Sequence, residues 1–128
     1  PEQLKIEPDI KKFLIKNEME FIESDNLKES VKQADVIYMT RIQDEYDVSN
    51  ESKNINYTNF HLTKQHLKII KKDAIIMHPL PRREEIDVDV DDDIRAHYWK
   101  QERNGMWVRA ALIAFMFGLQ KEIMDYTS

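Results

Sequence analysis

Two places in this chain hold residues whose types and spacing could do chemistry: Arg41, and the run Met77-His78-Pro79-Leu80-Pro81-Arg82. The run follows the apolar Ala74-Ile75-Ile76, where a buried strand would end and a ligand-facing loop begin. Each proline fixes φ and removes a backbone donor. An X-Pro bond is also where a cis peptide costs least, so Leu80-Pro81 can aim the Leu80 carbonyl at a fixed point. A rigid carbonyl beside Arg82 and Arg83 suits a small, polar, anionic ligand; the same run also fits a proline-rich turn without chemistry. Arg41 directly follows a second apolar run, Val36-Ile37-Tyr38-Met39-Thr40. A guanidinium fork there can take a carboxylate in two parallel hydrogen bonds, with Gln43 as a polar neighbour. The competing role for Arg41 is a surface pairing with Asp44 or Glu45.

The elements that must position these groups alternate along the chain. Residues 8–17 put Ile10, Phe13 and Leu14 on one helix face behind Pro8, a residue suited to a first turn, and Asn17 can close the helix. Met19-Glu20-Phe21-Ile22 predicts a short strand. Residues 26–33 predict an amphipathic helix capped by Asn26. Val36 to Thr40, nearly continuous in apolar residues, reads as a strand covered on both faces. From Asp44 to about Asn59 the pattern fails, which predicts a long polar surface loop of the kind that forms lids. Residues 63–70 read as a short helix with a Thr63 cap, and Ala74 to Met77 as another buried strand. Helix, strand, helix, strand with short connections is the pattern of an α/β fold with an open, mainly parallel, Rossmann-like sheet and helices on both faces. Ligands in such sheets sit beyond the carboxyl ends of the strands, which is where Arg41 and Leu80 fall.

Other clusters fare worse. Asp87, Asp89, Asp91, Asp92 and Asp93 do not make a calcium loop, because Asp92 stands where glycine is needed and Tyr98 where glutamate is needed. An exposed acidic turn before a helix at 96–99 is the expectation. His61, His66, His78 and His97 lack zinc-site spacing, and only His78 falls near a site. Trp99 and Trp107 read as core residues. Asn104-Gly105 introduces a second helical stretch, Met106 to Leu119, apolar on almost every side. Such a helix must be buried all round, so it is expected to pack against a further domain.

At 128 residues the chain amounts to one domain. Its net charge of −5 disfavours nucleic acid as a partner, and 34% charged residues predict a densely charged surface. No apolar run of about 18 residues exists to span a membrane. The opening Pro1-Glu2-Gln3-Leu4-Lys5 is unlike a signal peptide, so a cytoplasmic location is expected. Without cysteines, disulfides and thiolate metal sites are excluded. An opening Pro1 and only two glycines, Gly105 and Gly118, suggest a piece of something larger.

Taken together, Ala34-Asp35-Val36-Ile37-Tyr38-Met39-Thr40-Arg41-Ile42-Gln43, then Met77 to Arg82 with Glu85-Ile86, then Gln101, Asn104-Gly105 and Arg109-Ala110-Ala111-Leu112, resemble the aspartate carbamoyltransferases in order and spacing. The resemblance covers residues 1–128 as a partial second, aspartate-binding domain. Ornithine-using relatives carry a cysteine in place of Pro79, so this corner discriminates between the two substrates. The resemblance implies transfer of the carbamoyl group of carbamoyl phosphate to L-aspartate in pyrimidine biosynthesis, without cofactor or metal. It implies that Arg41 and Gln43 bind aspartate carboxylates, that the Leu80 carbonyl orients both reactants, and that Pro81 holds that carbonyl through a cis bond. It also implies an N-terminal carbamoyl-phosphate-binding domain as partner, a homotrimer, and a missing first strand and helix of this domain. The phosphate-binding Ser-x-Arg-Thr type motif is absent from the chain, so the polypeptide alone is expected not to turn over substrate. A non-catalytic structural or regulatory domain of the same fold is the alternative. A receiver-like binding module is disfavoured by the lack of an early acidic pair.

Overall fold

The computed structural model describes residues 5–41 and 60–127, with backbone only at 123, 124, 126 and 127. Pro8–Lys16 forms α1, entered through its proline and closed by Asn17, whose side-chain amide donates to the Phe13 carbonyl at 2.7 Å. Leu27–Gln33 forms α2, where the Asn26 side chain accepts from the Glu29 amide at 3.2 Å. That bond satisfies one of the donors every helix start leaves open. Val36–Tyr38 is β1 and Ile75–Met77 is β2, and the two pair in parallel with Val36 opposite Ile75, Ile37 opposite Ile76 and Tyr38 opposite Met77. On its other side β2 bonds the segment before the last long helix. The Ile76 amide donates to the Arg95 carbonyl at 2.7 Å, and its carbonyl accepts from the His97 amide at 2.8 Å. Ile76 is thereby fully buried at the centre of a core that includes Val31, Ile37, Met39, Leu62, Ile86 and Tyr98.

Tyr98–Met116 is α3 and Gln120–Thr127 is α4. Gly118, at φ 71°, turns the chain between them, and its neighbour Leu119 donates to the Ala114 carbonyl at 2.9 Å. That left-handed conformation suits glycine at a helix end. No helix among the described residues is long and apolar enough to cross a membrane.

Several sequence expectations need correction. Met19 to Ile22 forms no strand: no ladder partner exists among the described residues, and Ile22 is 90% exposed. The strand from Val36 is covered on one face only, because Ile37 faces the core while Val36 and Tyr38 stay about half exposed. In place of a helix over 63–70 there is one tight 3₁₀ turn, His66–Lys68. Thr63 does not cap it; the His66 Nδ1 instead accepts the Thr63 amide at 3.1 Å. Asn104-Gly105 starts nothing, since α3 runs unbroken through both. Trp99 and Trp107 are exposed, and of this group of aromatics it is Tyr98 that enters the core. The loop expected over 44–59 lies outside the described residues.

Candidate active site

Parallel pairing settles where the two candidate segments emerge. Adjacent parallel strands end at the same edge, so the residues after Tyr38 and those after Met77 leave the sheet side by side. The Met39 amide donating to the Met77 carbonyl at 3.0 Å extends that pairing one residue beyond β1. Arg41, half-buried, follows at this edge, and Leu80 sits three residues past β2 against the core. Gln43 lies outside the described residues. Leu80-Pro81 is a cis peptide bond, and Leu80 itself has φ 52°. For a branched residue that left-handed conformation costs on the order of 1–2 kcal/mol, which the surroundings must offset.

The surroundings of Leu80 are a chain of hydrogen bonds. His78 is buried, and its Nδ1 accepts the Leu80 amide at 2.8 Å. A nitrogen that accepts cannot carry the hydrogen, so Nε2 bears it and donates to Glu85 Oε1 at 2.6 Å. The same carboxylate oxygen takes the Arg83 amide at 3.1 Å. Burial pushes the Glu85 carboxyl up, but hydrogen bonds from its own and the Arg83 amide and from His78 outweigh it and hold the group below the usual carboxylate range. Behind the corner, Gln101 of α3 accepts the His78 amide at 3.1 Å and donates to the Tyr38 hydroxyl at 3.1 Å, tying the ends of both strands together.

Arg82 is engaged within the chain, where the sequence suggests a basic pair open to a ligand beside the carbonyl. Its Nη2 donates to Asp91 Oδ2 at 2.6 Å, its Nη1 reaches Asp91 Oδ1, and the Tyr98 hydroxyl donates to that same oxygen. The guanidinium also lies against the Tyr98 and Trp99 rings, 5.8 and 5.7 Å from their centroids. Hydrogen bonding to Asp91 holds Arg82 more firmly protonated than usual; burial pushes Asp91 up, and its bonds to Arg82 and Tyr98 more than reverse this. The acidic turn is therefore not simply exposed. Asp93 likewise binds Arg95 at 2.8 Å, while the remaining Arg95 donors reach the carbonyls of Leu67, Ile70 and Lys71 at 2.8 to 3.2 Å. His61 pairs with Asp87 at 3.0 Å. No metal-binding cluster occurs among the described residues.

The sequence does not disclose the contacts of Tyr38 and Gln101, and it places His78 near a site without giving it a role. Tyr98 and Gln101, three apart on one helix face, were the available signal for a polar contact directed at the sheet.

Comparison with known proteins agrees with this architecture. Residues 1–116 match the model of the aspartate/ornithine carbamoyltransferase Asp/Orn binding domain. An aspartate carbamoyltransferase catalytic subunit of Clostridium acetobutylicum is 42% identical over 120 residues, covering 93% of this chain and 39% of that protein. The multifunctional protein CAD of Squalus acanthias is 42% identical over 118 residues, covering 92% of this chain and 5% of that protein. Among solved structures, the catalytic subunit of M. jannaschii aspartate transcarbamoylase superposes with TM-score 0.78 at 34% identity, covering 94% of this chain and 39% of that one. The Trypanosoma cruzi enzyme in complex with carbamoyl phosphate and aspartate gives TM-score 0.78 at 28% identity, over 88% of this chain and 38% of that one. This chain thus spans about two-fifths of the length of the Clostridium subunit, 39%, and it belongs to the aspartate/ornithine carbamoyltransferase family.

Proposed function

We propose that this chain is the aspartate-binding part of an aspartate carbamoyltransferase, acting in pyrimidine biosynthesis with a carbamoyl-phosphate-binding domain as partner. One observation carries the reading: Arg41 and Leu80 follow neighbouring parallel strands that end at one edge. Catalysis here is mostly positioning. The amine of L-aspartate attacks the carbamoyl carbon, the bond to the phosphate oxygen breaks, phosphate leaves, and the amine loses a proton. Arg41 and Gln43 hold the carboxylates of aspartate, and the Leu80 carbonyl, set by Pro81, accepts N–H bonds from the reactants. Holding two reactants in register is worth several powers of ten in rate. A guanidinium clamp and a fixed carbonyl supply that register without cofactor or metal.

The apolar C-terminal half of α3 supports the partner domain. Trp107, Leu112, Phe115 and Met116 are all more than half exposed, and a patch of that kind marks a surface that is covered in the assembled protein. The reading carries with it a homotrimer and a cytoplasmic location, which mass measurement of the complete enzyme and cell fractionation test.

Isotope-labelled L-aspartate titrated into the chain and into Arg41→Ala tests the central assignment. Losing a charge-assisted bond costs about 1.5–3 kcal/mol, or roughly 10- to 100-fold in affinity. Equal binding by the two proteins removes Arg41 from the site and the reading with it.

A further inference from the structure

We propose that His78 is a positioning residue for the Leu80 carbonyl, acting through the Leu80 amide, with Glu85 fixing its imidazole and Gln101 its backbone. The inference rests on the reading of Leu80 given above and extends it to the residues that hold its amide. Three contacts carry it. The His78 Nδ1 accepts the Leu80 amide at 2.8 Å, pinning the peptide plane on the N-terminal side of a residue held at φ 52°. Glu85 accepts from Nε2 at 2.6 Å, which selects the tautomer whose Nδ1 lone pair is open. Gln101 accepts the His78 backbone amide at 3.1 Å and donates to Tyr38, so the corner after β2 is referenced to the end of β1, from which Arg41 follows.

The arrangement is a relay of orientation, not of protons. An imidazole flipped to the other tautomer would present an N–H to the Leu80 N–H and leave both unsatisfied inside the core, where an unpaired donor costs as much as a hydrogen bond gains. The Leu80 amide would then be unrestrained, the left-handed φ unsupported, and the carbonyl on the next peptide plane displaced. A misplacement of about 1 Å is enough to cost about 100-fold in rate.

Asparagine and glutamine separate this role from a merely structural one. In His78→Asn the side-chain oxygen falls near the position of Nδ1 and can still accept the Leu80 amide; in His78→Gln the polar end falls near Nε2 and serves Glu85 instead. Turnover is to be measured in the complete enzyme, this chain together with its carbamoyl-phosphate-binding domain, alongside nitrogen NMR of His78 and the amide resonance of Leu80. The expected result is a neutral Nε2–H tautomer, kcat within about tenfold of wild type for His78→Asn, and kcat about 100-fold lower for His78→Gln. The Leu80 amide should shift in the second variant only. A wild-type Nδ1–H tautomer overturns the proposal. Equal turnover of the two variants overturns it too, as does turnover that merely follows melting temperature. If the wild-type tautomer and the Leu80 amide shift in His78→Gln are as expected yet the complete wild-type enzyme makes no carbamoyl aspartate, the hydrogen-bond relay stands and the functional reading falls.

Discussion

The corner between β2 and the start of α3 and the far half of α3 are built on opposite principles. In the corner nearly every polar group is answered: His78 by Leu80 and Glu85, Arg82 by Asp91, Arg95 by Asp93 and three carbonyls. Along the far half of α3, apolar side chains face outward, with Phe115 66% and Met116 81% exposed. One region is complete within this chain; on the reading proposed above, the other meets the partner domain. Stability of the chain should therefore concentrate around β2 and the corner, and changes there should be felt far more than changes on α3.

The largest effect is expected from Ile76→Ala. Ile76 is wholly buried and bonded through its backbone on both sides of β2, so the cavity left behind cannot collapse easily. A loss of roughly 2–5 kcal/mol follows, read as a lower midpoint in urea. Next comes Arg95→Lys. All five guanidinium donors are used, on Asp93 and the carbonyls of Leu67, Ile70 and Lys71, whereas an ammonium has three donors in a different shape. Losing two such bonds, with carbonyls left partly unsatisfied, should cost about 1–3 kcal/mol in the same assay. Restoration of full stability by lysine would mean that charge alone, not the fork, holds the turn at His66–Lys68.

A pH effect sharpens the contrast further. Burial lowers the His66 pKa below its ordinary 6.5, helped by the neighbouring His61 and opposed by the Thr63 backbone. The folded state therefore binds fewer protons than the unfolded state as the pH falls below 6.5, and stability must decline there. Above that pH the contribution is fully present. Replacing His66 with Gln should flatten the decline below pH 6.5; an unchanged slope assigns it to other groups. Asp93 acts lower on the scale. The Arg95 bond, against burial, depresses its pKa below 3.8, so its contribution persists to about that pH and is lost beneath it.

How much of this was legible follows from where the information lies. The α1 and α2 helices were readable because their signals are local: Pro8 and Asn17 bracket one, and Asn26 caps the other. Both strands were found from their apolar runs, and the parallel sheet from the alternation of elements. Burial of only one face of β1 was not legible, because Val36 and Ile37 look alike in sequence and differ only in what lies across from them. The pairing of Arg82 is hidden in the sequence for the same reason. Its partner Asp91 is nine residues away across a turn, and no period links a loop arginine to a loop aspartate. The corner at Leu80 is visible from its prolines, and His78 falls beside it, but the bond by which that histidine holds the Leu80 amide is not legible, since a hydrogen-bonded imidazole and an incidental one have the same letter.

The smallest expected effect, and the sharpest test of the contrast, is Phe115→Gln. Phe115 is 66% exposed, so little apolar area is lost to water by its removal, and surface substitutions usually change stability by less than about 0.5 kcal/mol. Glutamine is also at least as good a helix former as phenylalanine. The chain should therefore unfold at the same urea midpoint, within error, and be less prone to self-association. In the complete enzyme the same substitution should behave differently, because a side chain covered by the partner domain contributes about 1.5–3 kcal/mol through burial. A destabilisation seen only in the complete enzyme locates the missing contacts of α3 at the domain boundary. Equal loss in both settings would mean that α3 is anchored to the core of this chain through Phe115, and the division into a self-sufficient corner and a dependent helix would fail.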